Sequence, residues 1–147
     1  MTSQRSYCYS FKFDPKKMAR AYGANLPISF KKTYELCKFL RGKPLERAMR
    51  ELDQIIDLKL PVPYTRYNKD VPHKKGIGAG RYPVKPAAYL KKILNNAINN
   101  AKQKGLDTSK MKILHLACHR AVSKEKTARG WPKGCHVEVV IGLSEEE

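Results

Sequence analysis

Apolar residues return every three or four positions in three stretches of this chain, and in others they follow the two-residue period of a strand. The first helical stretch, residues 31–41, aligns Tyr34, Cys37 and Leu40 and stops at Gly42, a residue suited to the left-handed position that closes a helix. The second opens at Pro44, where a missing N–H costs nothing, and carries Leu45, Ala48, Met49, Leu52 and Ile56 on one stripe. The third starts near Pro86 and ends at Gly105; Leu90, Ile93, Leu94, Ala97, Ile98 and Ala101 make it the strongest periodic signal in the sequence. Helices this short are marginal alone, so their stripes need a partner surface.

The partner is predicted to be a sheet. Residues 111–119 alternate Ile113, His115 and Ala117 against Leu114, Leu116 and Cys118, and residues 135–143 are rich in Val and Ile. A connector over 120–134 makes an antiparallel hairpin the economical pairing. Leu26, Ile28 and Phe30 give residues 25–30 the look of a further short extended segment. Residues 1–24, with Tyr7, Tyr9, Phe11 and Phe13 among Lys and Arg, read either as a short strand or as a basic arm that orders on a partner. Residues 61–83 hold four prolines and three glycines and read as one long irregular loop. The pattern predicts an α+β domain over 25–143, three helices on a sheet that contains an antiparallel hairpin, after a basic arm (1–24) and before an acidic tail (144–147).

Charge changes the picture from fold to partner. Thirty Lys and Arg oppose thirteen Asp and Glu, a formal net charge of +17 over 147 residues. Such a body repels itself and gains most where phosphates supply the missing anions. A hydrophobic fraction of 41% argues for a packed core rather than a disordered basic tail. No apolar run reaches a membrane span, and residues 1–13 lack the apolar core of a signal peptide, so a cytoplasmic protein is expected. The cations concentrate in loops. Residues 120–134 carry Arg120, Lys124, Lys126, Arg129 and Lys133 against Glu125 alone, with Trp131 between them. Residues 69–85 carry Lys69, Lys74, Lys75, Arg81 and Lys85 against Asp70, with Tyr67, His73 and Tyr82 close by. Cations for phosphates, rings for unpaired bases and glycines for close approach suit RNA. Further candidate contacts are Lys16, Lys17 and Arg20 in the arm, Lys31, Lys32, Arg41 and Lys43 about the first helix, and Arg66 in the long loop.

Candidate chemistry is thin. Cysteines 8, 37, 118 and 135 form no C-x-x-C pair and read as reduced thiols. Cys118-His119 and Cys135-His136 sit in strands, where neighbours point to opposite faces, so neither pair aims both side chains at one metal. The run Gly76-Ile77-Gly78-Ala79-Gly80 lacks the spacing, the preceding strand and the Lys of a nucleotide loop. The histidines are scattered and the acids lie mainly on the second helix and at the end. No enzyme, metal or cofactor is expected. A metal-dependent nuclease and a free RNA chaperone are the rival classes.

Six segments in order carry a family likeness: Phe30-Lys31-Lys32-Thr33 with Leu40 to Ala48, Val62 to Asn68, Gly78 to Lys85, Asn96 to Asp107, Ile113 to Ala117, and His136 to Val140. Together, over about residues 7–142, they resemble the universal large-subunit ribosomal protein family number twenty-two, called seventeen in eukaryotes, in its archaeal and eukaryotic form. The resemblance implies a three-stranded sheet with three helices and contacts with several domains of large-subunit rRNA and with neighbouring ribosomal proteins. It also implies an extended hairpin at the wall of the peptide exit tunnel, touching the nascent peptide transiently. By position that hairpin is 120–134. Only Ala128-Arg129-Gly130 matches the family's longer Arg-rich stretch, so the hairpin is expected to be short.

Overall fold

The computed structural model describes residues 7–122, 128, 130 and 132–143. In chain order these form β1 (Met18–Leu26), α1 (Phe30–Leu40), α2 (Leu45–Ile56), β2 (Val62–Pro63), β3 (His73–Lys74), β4 (Gly78–Arg81), α3 (Val84–Gln103), a 3₁₀ turn (Thr108–Lys110), β5 (Met111–Arg120) and β6 (Cys135–Leu143). The three helices and the β5–β6 hairpin stand where the periodicity predicts them. The class is α+β. Pro86 is the third residue of α3 rather than its first, which still lies in the turn that needs no N–H partner.

The main sheet runs β1-β6-β5, antiparallel throughout, with β6 in the centre. Val137, Val139 and Ile141 of β6 point into the core, where Leu36, Leu40, Leu52, Leu90 and Leu94 from the helices are all buried. Helix α3 lies across β1 and β6, α1 lies on β5, and α2 packs on α3. Gly23 permits the α3 crossing: a Cβ there would stand 2.6 Å from Ile93 Cδ1. A bulge at Leu114, where His115 pairs Val140 two residues after Ile113 pairs Ile141, resets the alternation in β5. Ile113, Leu116 and Cys118 therefore all face the helices, and His115 faces away.

Two expectations need correction. The third strand is Met18–Leu26, so the strand alternative holds for the end of the 1–24 stretch, and 25–30 adds only the strand's last two residues. Ala19 and Ala21 are its buried residues, small enough to let α3 sit close. The stretch 61–83 is not structureless: β2, β4 and β3 form a second antiparallel sheet, with Val62 opposite Arg81 and His73 opposite Ala79. The glycine run supplies its turn, since Gly76 and Gly78 adopt φ of +81° and +71°.

Gly42 closes α1 at φ +80°, and its N–H donates to Ile113 O at 2.9 Å, tying the helix end to β5. Gly42→Ala should destabilise the protein by about 1–2 kcal/mol, the cost of a Cβ in the left-handed region. The check is a chemical-denaturation midpoint, and an unchanged midpoint would show that the loop adapts freely.

Candidate nucleic-acid interface

Glu35 is the only carboxylate on α1, and it points inward rather than to solvent. It accepts from the backbone amides of Arg66 and Tyr67, both at 2.7 Å, and from Thr65 N at 3.1 Å. Burial alone would raise its pKa, but the amides of Tyr67, Thr65 and Arg66 outweigh burial and hold it below the usual carboxylate range. The loop after β2 is thereby pinned to α1, and two side chains are carried with it. Tyr67 meets Tyr34 edge-on at 5.2 Å and Phe30 at 5.9 Å. Arg66 lies over both tyrosines, at 5.0 and 5.2 Å from the ring centres, and donates to Tyr34 Oη at 3.1 Å. On the other side of Phe30, Arg120 at the end of β5 stands 4.9 Å above the ring. Lys31, Lys32 and Lys133 line the same groove, with Ser29 and Asn68. Six of the expected contacts thus gather around the base of the hairpin: Lys31, Lys32, Arg66, Tyr67, Arg120 and Lys133, while Lys69 is exposed in the loop that follows. Sequence reasoning missed Phe30 and Tyr34 as surface groups. Their i,i+4 spacing was the available signal, but a ring pair on a helix reads first as core.

A second group sits on or beside the small sheet. His73, Lys75, Arg81 and Lys85 are exposed, and Lys74 lies 5.3 Å over the ring of Tyr82. Lys16, Lys17 and Arg20 are also exposed, but Arg20 lies between the rings of Tyr9 and Phe13, at 4.5 and 4.4 Å. Two of the expected contacts also bond within the protein. Arg41 donates Nη2 and Nε to Leu116 O, at 2.8 and 3.3 Å. Lys43 pairs with Glu51 at 2.5 Å and covers the Phe39 ring. Lys124, Lys126, Arg129 and Trp131 lie outside the described residues, as does the acidic tail.

The acids are turned to internal use. Glu51 accepts from Lys43 and Arg47, and Asp53 pairs with Lys91 of α3 at 2.5 Å. Glu138 is fully buried on the sheet face opposite the helices. It accepts from Tyr7 Oη at 2.8 Å, from Ser10 N at 3.3 Å and from the Ser10 hydroxyl, and pairs with His115 Nε2 at 2.7 Å. Burial would raise its pKa; the bonds from Ser10, His115 and Tyr7 overcome that and hold it near 2. Around this anchor the arm covers the sheet: Tyr7 stacks on Tyr22 at 3.6 Å, and Phe11 on His115 at 5.1 Å. Three of the four histidines are therefore not scattered but lie on the main sheet, while His73 sits on the small one. His115 and His119 both approach Glu138, the latter at 3.5 Å, and His136 accepts from Asn25 N.

Cys37, Cys118 and Cys135 are buried. The Cys118 contact and burial push the Cys135 thiol far up. At Cys118 the Cys135 contact works the other way, but the Cys37 contact and burial outweigh it. Thiols held protonated are neither nucleophiles nor metal ligands. Among the described residues no group of three or more His, Cys, Asp or Glu is placed to hold a metal ion, and no helix is long and apolar enough to cross a membrane.

Exposed cations and ring faces beside a loop pinned by Glu35, with Glu35, Glu51 and Glu138 the buried carboxylates among the described residues, make a cationic surface of the kind suited to a polyanion. A family model described as ribosomal protein L22p/L17e matches residues 21–141. The chain is 40% identical over 144 residues to large ribosomal subunit protein uL22 of Methanococcus maripaludis, covering 90% of this chain and 94% of the relative. It is 38% identical to the protein of the same name from Methanocaldococcus jannaschii, over 90% and 92% of the two chains, and 37% identical to that of Hyperthermus butylicus, over 95% and 97%. The chain belongs to the ribosomal protein L22p/L17e family, structural and non-enzymatic proteins of the large ribosomal subunit.

Proposed function

We propose that this protein binds large-subunit rRNA through the groove at the base of β5 and β6, the small sheet and its neighbouring loops. We further propose that the hairpin, residues 120–134, contributes to the wall of the nascent-peptide exit tunnel. The observation that carries the first part is the cluster of Lys31, Lys32, Arg66, Arg120 and Lys133 around the rings of Phe30, Tyr34 and Tyr67, with no carboxylate among the described residues that line the groove. A cation surface without local acids attracts phosphate, and rings beside it accept bases. The second part rests on the family and on the pairing of Arg120 with Cys135, the strand ends between which these residues run. Neighbouring ribosomal proteins and, transiently, the nascent peptide are the other partners.

The tunnel is tested with ribosomes stalled on a chain that carries a photoreactive residue at successive depths. A crosslink to this protein is expected over a narrow range of depths. Absence of a crosslink at every depth would remove the tunnel role while leaving the rRNA role standing.

A further inference from the structure

The groove beside Phe30 is an open cleft large enough to take a single ligand. Its volume is about 540 Å³, within the roughly 300–1,000 Å³ typical of pockets that enclose single ligands. Phe30 supplies an aromatic face capped by the planar Arg120 guanidinium, and arginine planes and rings are the two surfaces on which unpaired bases stack. Ser29 and Asn68 offer hydrogen-bonding side chains at the wall, and the Ser29 hydroxyl makes no capping bond to α1. Lys31, Lys32 and Lys133 stand at the rim as point charges for the flanking phosphates. The walls come from α1 and the hairpin base, and Glu35 holds the loop that leads to Asn68 by its 65–67 amides.

We propose that this groove is a subsite for one nucleotide extruded from an RNA helix, its base on the exposed Arg120 guanidinium that the Phe30 ring supports and its phosphates on Lys31, Lys32 and Lys133. The inference rests on the RNA-binding reading and adds to it a contact that a duplex cannot make. A paired helix presents only phosphates and sugars to this rim; a bulged base can enter.

Three RNA hairpins of one stem sequence test it with the full-length protein: fully paired, with a single-nucleotide bulge, and with an abasic bulge at the same place. The base-bearing bulge should bind about tenfold tighter than the abasic one, the size of one base-stacking contact. In Phe30→Leu, which keeps apolar volume on α1 but removes the ring, that ratio should fall towards one. A thermal unfolding curve confirms that the variant is folded, and Arg120→Ala gives a second route to the same loss of ratio. Equal affinity for base-bearing and abasic bulges, or a ratio that survives both substitutions, overturns the subsite alone. Failure to bind any of the three RNAs overturns the subsite and the RNA-binding reading together.

Discussion

Glu138→Ala should detach the N-terminal segment from the sheet and destabilise the protein by about 3–5 kcal/mol, the range for breaking one side of a buried, hydrogen-bonded charge. Glu138 has no exposure and serves Tyr7, both donors of Ser10, and His115 at once. Its removal leaves those donors without an acceptor and a hole in the middle of the central strand. Acid should have a related effect. The folded-state pKa is depressed to about 2, below the roughly 4.3 of an unfolded glutamate. The stabilisation is therefore complete above the unfolded value and is lost as pH falls from about 4 towards 2. Glu138→Gln, which keeps shape and loses charge, should flatten that part of the stability–pH curve. Chemical denaturation at neutral and acid pH, with limited proteolysis of the first residues, reads both effects. A Glu138→Ala midpoint equal to that of the parent protein would mean the arm contributes nothing to the fold.

That anchor also shows where the sequence stops being legible. The helices could be read because their stripes are local: Leu90, Leu94, Ala97 and Ala101 mark α3 without reference to anything else, and all four are buried. The hairpin was legible for the same reason. β1 was not, because Met18–Leu26 has no β-branched residue and owes its extended form to pairing with β6, over a hundred residues away. Tyr7 and Glu138 are 131 positions apart, and nothing in either neighbourhood announces the other. Likewise Glu35 reads as the polar face of a helix until the 65–67 amides are placed beside it. The candidate site was half legible. Its cations could be counted, but the bonds that Arg41 and Lys43 make within the protein, and the half-buried setting of Phe30 and Tyr34, depend on packing. The second sheet escaped notice because strands of two residues carry no period; prolines and glycines at 61–83 looked like a loop and in fact shape its turns.

The claim that unites these observations is that the protein holds RNA through phosphates met by clustered cations. Its most direct test is the affinity of the full-length protein for a structured RNA hairpin between about 50 and 200 mM salt. If about six phosphates are neutralised, affinity should fall about a thousandfold over that range, because each contact releases bound counterions. Arg66→Ala and Lys32→Ala should each weaken binding across RNA sequences and lower the slope of log affinity against log salt by about one. Arg41→Ala should leave the slope unchanged, since its guanidinium is bonded to Leu116 O. A steep slope that falls stepwise in the first two variants is the predicted result. The same affinity at both ends of the salt range would contradict the account.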